Sequence, residues 1–502
     1  MDQGQSTNQR QSTDQRQSTD RSDRIARHSL AIFLVLFACS FLRYLYKIGM
    51  ARMLNVRGYG ILSTVEPFMI LTTSLTLTGF ASALSKYLSE EIAQGHNETA
   101  ENYLATALYY LFPLSVGVSV VVYAFAGVIA ETLFHEPELT ILIRIIIVLM
   151  PIQAIWLIFD GVFLGHQESP YYTYSLIVFD AVTLVAAVFL VSKGMGPMGA
   201  ILGALIGGLV GVLCAYYFYV AKFKEKVSIF SGKKSVAIMK KLTNFAIPKT
   251  ITSVSAIILM SFDIFCVTYF LGVTYTGLYN AAVPLARMMT SVSMSIRIPL
   301  LPAVSEDSAR EKTYIAKYLT DAVRYVSAVT LPLVILLIYY AERLITFFFG
   351  PQYSPAATAL MILALAMLCM AYCSIFSAIF QGMDDPQTPM KITVIAVVLN
   401  ILLNIYLIPR IGIEGAAFAT LASMAFTLVS LGYKIRGFAK YERIRSDLLK
   451  IGGLSVCVFV IAVVFRNIFL VGVLVALAFY TAAVIKFNIV DINKFLSSIE
   501  EI

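Results

Sequence analysis

FDIFCVTYFLGVTYTGLYNAAVPLARMMTSVSMSIRIPLLPAVS, residues Phe262–Ser305, reads as the end of one membrane helix, a short turn and most of the next helix. Asp263, Arg287 and Arg297 sit inside its apolar sequence. A charge at membrane depth is costly, so it faces a protein cavity or a partner group. The same stretch echoes a segment near the N-terminus, and that echo carries the architecture.

Ala51–Met69, ARMLNVRGYGILSTVEPFM, matches Thr268–Ala286, TYFLGVTYTGLYNAAVPLA, at an offset of 217 residues. Leu54 meets Leu271, Val56 meets Val273, Gly60 meets Gly277 and Pro67 meets Pro284. FLGHQESP at 163–170 similarly meets FQGMDDP at 380–386. Gly199, Gly203, Gly207 and Gly211 recur every fourth residue on one helix face, where small residues allow close helix approach. Shifted by 216, they fall on Gly415, Ala419, Ser423 and Thr427, all small. Three matches in order at nearly one offset indicate a duplication. Each half holds six helices, an even number, so both insert in the same direction about a pseudo-twofold along the membrane normal. Parallel repeats of this kind build transporters with a path between two lobes.

Composition agrees. The chain has 502 residues, 59% hydrophobic and only 14% charged, with a mean hydropathy of +0.79. A soluble domain carries about 25% charged residues. We expect an all-α integral membrane protein with about 14 transmembrane helices: two parallel six-helix repeats plus two C-terminal helices. The expected spans are 29–49, 61–86, 103–130, 138–165, 171–192, 197–221, 245–271, 277–303, 320–345, 356–381, 388–408, 413–434, 447–466 and 468–486. The domains are then a polar, disordered tail (1–28, with hexads QSTNQR, QSTDQR and QSTDRS), an N-terminal bundle (29–221), a linker (222–244), a C-terminal bundle (245–434) and the two added helices with a short tail (435–502). The first apolar run is too long for a signal peptide, lacks a clear A-x-A site and is followed by many more spans.

Lys and Arg set the orientation. With the N-terminus in the cytoplasm, 25 of the 38 basic residues fall in inside segments and 7 in outside ones, among them Lys47, Arg52 and Arg57. Both termini are expected in the cytoplasm of a plasma-membrane protein. This bias accounts for the net charge of +8 without nucleic acid. The sequon at Asn97 falls in a cytoplasmic loop and reads as chance. The six cysteines lie in apolar runs without a CxxC pair, and the four histidines are scattered, so no metal or cofactor site is expected. GxxxxGK[ST], H-E-x-x-H and G-x-S-x-G are all missing, which argues against ATP hydrolysis and against an enzyme.

Six basic residues remain inside spans: Arg43, Arg144, Lys249, Arg287, Arg297 and Arg324. Arg43, Lys249, Arg287 and Arg297 lie on helices related by the repeat and are the candidates for a cationic, substrate-binding cleft. Arg144 and Arg324 have snorkelling to an interface as the simpler reading. Glu66 and Asp263, on the same elements, are the ion-coupling candidates, and Asp263 also has an ion pair with Lys249 or Arg287 open to it. Asp160 and Asp180 lie elsewhere, on the fourth and fifth helices. Asn400 and Asn404 share a helix face and are read as interhelical hydrogen-bonding groups.

GMARMLNVRGYG (49–60), TGLYNAAVPLAR (276–287), LLPAVSE (300–306) and QGMDDPQTPMKITVIAVVLNILLNIYLIPRIGIEGAAFAT (381–420) resemble the polysaccharide or lipid-linked oligosaccharide flippases of the multidrug/oligosaccharidyl-lipid/polysaccharide exporter superfamily. The resemblance covers nearly everything after the tail. It implies two six-helix bundles around a cleft, and alternating access that moves a lipid-linked sugar head group from the cytoplasmic to the outer leaflet. It also implies cationic cleft residues on the phosphate-bearing head group, with Lys249, Arg287 and Arg297 as candidates here. The expected partners are a lipid-linked anionic glycan and membrane lipids, with Na+ or H+ coupling left open. The alternatives are a cation-coupled exporter of small cationic drugs, which needs a net-negative cavity, and a membrane glycosyltransferase, against which the short loops argue.

Overall fold

The computed structural model describes residues 38–166, 168–223, 227–229, 231–308, 312–438 and 441–487. The expected tail at 1–28 and the end of the chain lie outside them. Among the described residues there is no strand. The helices are α1 (described over 38–53), α2 (Val56–Ala93), α3 (Asn97–Leu133), α4 (Leu139–Gly165), α5 (Ser169–Leu190), α6 (Gly196–Lys222), α7 (Val236–Leu271), α8 (Val273–Ser308), α9 (Lys312–Tyr339), α10 (Ala357–Gly382), α11 (Gln387–Ile411), α12 (Ile413–Ile435), α13 (Tyr441–Val464) and α14 (Phe469–Lys486). A short helix, Ala341–Phe348, follows α9. These correspond one to one with the fourteen expected spans. The largest shift is in α7, which begins at Val236 rather than 245, capped by the Ser235 side chain.

Eleven stretches among the described residues are long and apolar enough to cross a membrane. The longest, Pro170–Lys222, folds back on itself at Gly194 (φ 88°) and Gly196 (φ 56°), so it makes two helices. Only glycine adopts such angles without strain. Gly412, 216 residues after Gly196, has the matching backbone: φ 70° and ψ −146° against φ 56° and ψ −145°. The helices that follow then pack alike. A Cβ on Gly199 would press on the backbone of Leu190 and Val191, and one on Gly415 on the backbone of Leu407 and Ile408. The duplication read from sequence is therefore present in the chain path.

Packing repeats as well. α5 packs on α6 as α11 packs on α12, α4 on α6 as α10 on α12, α3 on α4 as α9 on α10, and α2 on α4 as α8 on α10. The two lobes meet where α2 crosses α8. A Cβ on Gly60 would collide with the Val273 carbonyl, and one on Gly277 with the Val56 carbonyl, so each repeat makes the same contact to the other. Ser63 and Asn280, also 217 apart, hydrogen-bond across the crossing at 2.7 Å. The pseudo-twofold axis passes between these residues.

Exposure along the four central helices shows where the lobes part. Near the crossing, Tyr59, Leu62, Val65, Val267, Tyr279 and Ala282 are buried. Further from it, Phe41, Ile70, Ile251, Met288 and Met294 are exposed. The lobes are closed at the face holding residues 52–60 and 272–277; toward the opposite face α1 and α8 carry the exposed Phe41, Met288 and Met294, while the end of α2 still packs on the start of α7, Gly79 against Ala246 and Tyr87 against Phe245 at 6.0 Å. α13 and α14 lie outside the repeat and dock on α9. Tyr340 donates to the Ala462 carbonyl at 2.8 Å, and Arg324 lies between Asp321 (2.9 Å) and Asp447 (3.9 Å).

Candidate functional site

The apex of the cleft, just below the crossing, gathers charge from both lobes. In the C-terminal lobe, α7 brings Asp263 against α8. Its carboxylate accepts from the Tyr279 hydroxyl at 2.6 Å and from its neighbour's amide, Ile264 N, at 2.9 Å. Tyr279 also reaches Thr420 on α12. Arg287, two turns after Tyr279, lies within electrostatic reach of Asp263, and its Nη2 donates to the Met260 carbonyl of α7. Asp263, Arg287, Met260 and Thr420 line one pocket with Met367 and Met424. Asp263 is 5% exposed, so a lost partner there would leave a charge or hydroxyl stranded.

The N-terminal lobe answers with a second pair. Glu66 on α2 hydrogen-bonds Tyr46 and lies beside Lys47, both on α1. Lys47 and Tyr44 in turn lie within reach of Arg287. Tyr46 and Asp263 occupy equivalent places in the repeat, 217 apart, so each lobe carries a tyrosine–carboxylate pair between its first two helices with the roles exchanged. The result is a continuous chain: Glu66, Lys47, Arg287, Asp263. It is formally neutral, and its two cations come from different lobes and lie within electrostatic reach of each other. Like charges in a poorly solvated site repel, and an anion placed between them relieves that repulsion.

Lys47 is the residue the sequence reading missed. That reading counted Lys47 with Arg52 and Arg57 as outer charges although the expected span 29–49 contains it; α1 runs on to residue 53, with Lys47 half-buried a turn and a half before its end. The available signal was its spacing: Lys47 lies four residues after Arg43, on the same helix face.

The remaining candidates are not in this chain of charges. Arg43, 57% exposed on its side chain, pairs with Asp180 of α5 at 3.0 Å, so the carboxylate set aside as lying elsewhere is its partner. Lys249 is exposed on α7 beside Pro248, and Arg297 is half-buried ten residues beyond Arg287. Neither has an ion pair among the described residues. The Asp263–Lys249 pairing left open by the sequence is not formed, and Arg287 lies within electrostatic reach of Asp263 without a direct ion pair. Arg144 lies over the Tyr123 ring of α3, its guanidinium carbon 5.1 Å from the centroid. Arg324 instead forms the ion triad that holds α13. Asn404 donates to both oxygens of Asn400 within α11 at 2.9 Å, so the expected interhelical bond is replaced by an intrahelical one. On the N-terminal side, Asp160 keeps one buried oxygen without a partner, near Tyr172. All six cysteines are free, and no cluster of metal-ligating residues occurs among the described residues.

Two duplicated helical lobes meeting around a charged interior, with eleven stretches apolar enough to cross a membrane, define a multi-pass membrane protein. Residues 25–308 match the family described as Polysaccharide biosynthesis protein, and residues 248–406 match MatE. The chain belongs to the polysaccharide biosynthesis protein family. Among relatives, it is 24% identical over 421 residues to the probable low-salt glycan biosynthesis flippase Agl15 of Haloferax volcanii, covering 83% of this chain and 85% of that one. It is 24% identical over 410 residues to stage V sporulation protein B of Bacillus subtilis, covering 76% and 78%. Among solved structures, the lipid II flippase MurJ in an inward closed conformation superposes with a TM-score of 0.74 at 16% identity, covering 91% and 98%. An inward-facing MATE family multidrug resistance transporter gives 0.66 at 14%, covering 80% and 95%. At these identities the structural likeness speaks to fold.

Proposed function

We propose that this protein is a flippase for a lipid-linked glycan bearing phosphate or pyrophosphate, carrying the head group from the cytoplasmic to the outer leaflet of the plasma membrane. The observation that carries the reading is the apposition of Lys47 and Arg287 at the cleft apex, one cation from each lobe. A phosphate-bearing head group between them neutralises both, and Arg suits its oxygens bidentately. Arg297 and Lys249 then serve the approach from the open face, with Arg43 opposite. The lobes, 29–221 and 245–434, rock about the α2–α8 crossing while the lipid tail stays in the bilayer. With both termini cytoplasmic, the closed face is the outer one. An inside-negative potential drives an anionic head group outward, and two net charges gain about 4–5 kcal/mol per 100 mV. Glu66 and Asp263 are the groups through which Na+ or H+ would couple.

The same two carboxylates favour a second reading, a cation-coupled small-molecule exporter, because they balance the cations one for one. Flipping of a fluorescent, pyrophosphate-linked lipid oligosaccharide in proteoliposomes separates the two. Loss of flipping in folded Arg287→Ala is the expected result. Flipping unchanged in that variant removes Arg287 from the site. No flipping by the parent, with ion-driven uptake of a cationic dye, selects the exporter.

A further inference from the structure

The closed face is held by more than the glycine crossing. After α9, the C-terminal lobe extends the short helix Ala341–Phe348 and a short 3-10 helix, Pro351–Ala356, across the seam. This strap buries Ala341, Ile345, Phe349 and Tyr353, and it hooks the last turn of α1 in the other lobe. Arg52 Nε donates to the Phe348 carbonyl at 2.8 Å, and its Nη2 donates to the Phe347 carbonyl. These are terminal carbonyls of the short helix, whose ladder has ended, so they carry the negative end of its dipole. Beside them Tyr353 donates its hydroxyl to the Ala51 carbonyl at 3.0 Å, and its ring meets the edge of Tyr59 at 5.9 Å.

The corresponding segment of the N-terminal lobe, after α3, touches α7 by ring contacts instead: His135 on Tyr269 at 5.0 Å and Phe134 on Phe265 at 6.1 Å. Arg57, the other arginine of this face, pairs with Glu136 at 2.7 Å and Glu138 at 3.4 Å, both in its own lobe. The pseudo-twofold is therefore broken here. Of the two arginines, only Arg52 crosses the seam, with two charge-assisted hydrogen bonds to a helix end.

We propose that Arg52 and the 341–353 strap form a latch that keeps this face shut, and that release of Arg52 from the Phe347 and Phe348 carbonyls sets how often the face opens. The latch is independent of what the cleft carries, because its readout is a distance. Spin labels on Met53→Cys and Tyr275→Cys, exposed positions in opposite lobes on this face, report the gap in a chain whose exposed Cys457 is replaced by Ser. In Arg52→Ala the ratio of long to short distances rises about tenfold or more, as loss of a charge-assisted hydrogen bond allows. Arg52→Lys, which cannot fork between two carbonyls, falls between, and Tyr353→Phe gives a smaller rise. Arg57→Ala leaves the ratio at the parent value. A parent-like ratio in Arg52→Ala, or an equal rise in Arg57→Ala, overturns the proposal. If Arg52→Ala fails to fold, Tyr353→Phe decides: no rise there also overturns it.

Discussion

Replacing Lys47 with methionine tests the apex most sharply, because the side chain has two separable jobs. It neutralises Glu66, which lies between Lys47 and Tyr46, and it presents a cation toward Arg287. Lys47 and Glu66 are half-buried and interact electrostatically without a direct ion pair, so removing one of the two charges costs about 1–2 kcal/mol. Relief of the Lys47–Arg287 repulsion returns part of this, so about 1 kcal/mol of net destabilisation is expected for Lys47→Met. Glu66→Gln alone strands the ammonium instead and costs a similar amount. The double variant strands neither charge, and it recovers most of this loss. The coupling energy of the cycle is then about 1–2 kcal/mol. The chain contains a single tryptophan, Trp156, which lies 7% exposed within α4, so denaturant unfolding can be followed by its fluorescence. Transport is measured on the same four proteins. The flippase reading requires that the double variant regain stability and still fail to flip an anionic lipid-linked glycan, since no cation remains on the N-terminal side of the apex. A coupling energy below about 0.5 kcal/mol would refute the pairing. Flipping restored in the double variant would refute the idea that Lys47 holds the head group, leaving it only the task of neutralising Glu66.

Gly60→Ala forces a methyl into the Val273 carbonyl, so it costs about 1–3 kcal/mol and widens the closed face. Crosslinking between cysteines placed on the two lobes at that face would fall, and unchanged crosslinking would show that the crossing tolerates a Cβ. Outside the spans, Asp385 accepts from the Thr388 amide at 3.1 Å and hydroxyl at 2.7 Å, contacts that hold its carboxyl below the ordinary carboxylate value. A depressed acid stabilises above its unfolded pKa and loses that contribution as pH falls through the folded one. The α10–α11 turn should therefore loosen only in acid, seen as faster hydrogen exchange at Thr388. Asp385→Ala should abolish that acid dependence and cost about 0.5–2 kcal/mol at neutral pH. Arg324→Ala leaves Asp321 and Asp447 facing each other without their cation. It should loosen α13 and α14, detected as new protease cleavage between α12 and α13, at a cost of about 1–3 kcal/mol. Protection equal to the parent would mean that the apolar face against α9 suffices.

What was legible in the sequence followed from periodic and local rules. Runs of apolar residues marked all fourteen helices, and paired glycines at offsets of 216 and 217 marked the repeat. Those glycines were readable because each has a backbone reason that no other residue satisfies: Gly196 and Gly412 take positive φ, while Gly60 and Gly277 admit a carbonyl where a Cβ would stand. Charges follow a different logic. Their partners are set by which helix faces meet, and sequence distance says little about that. Arg43 and Asp180 are 137 residues apart, yet they bond at 3.0 Å. Lys47 fell two residues inside the end of the expected first span and was still counted with the outer charges, because a lysine so near a span end is read as reaching for solvent. A lysine near a helix end looks the same whether it reaches for solvent or for a half-buried glutamate. Only the repeat could have separated the two. Ile264, the equivalent of Lys47, is a buried neighbour of Asp263, so the position was interior in the second copy. Where one copy of a duplicated helix is plainly buried, a charge at the matching place in the other copy belongs with the interior, and its counter-charge is to be sought on the helix beside it. For Lys47 that helix is α2, and the counter-charge is Glu66.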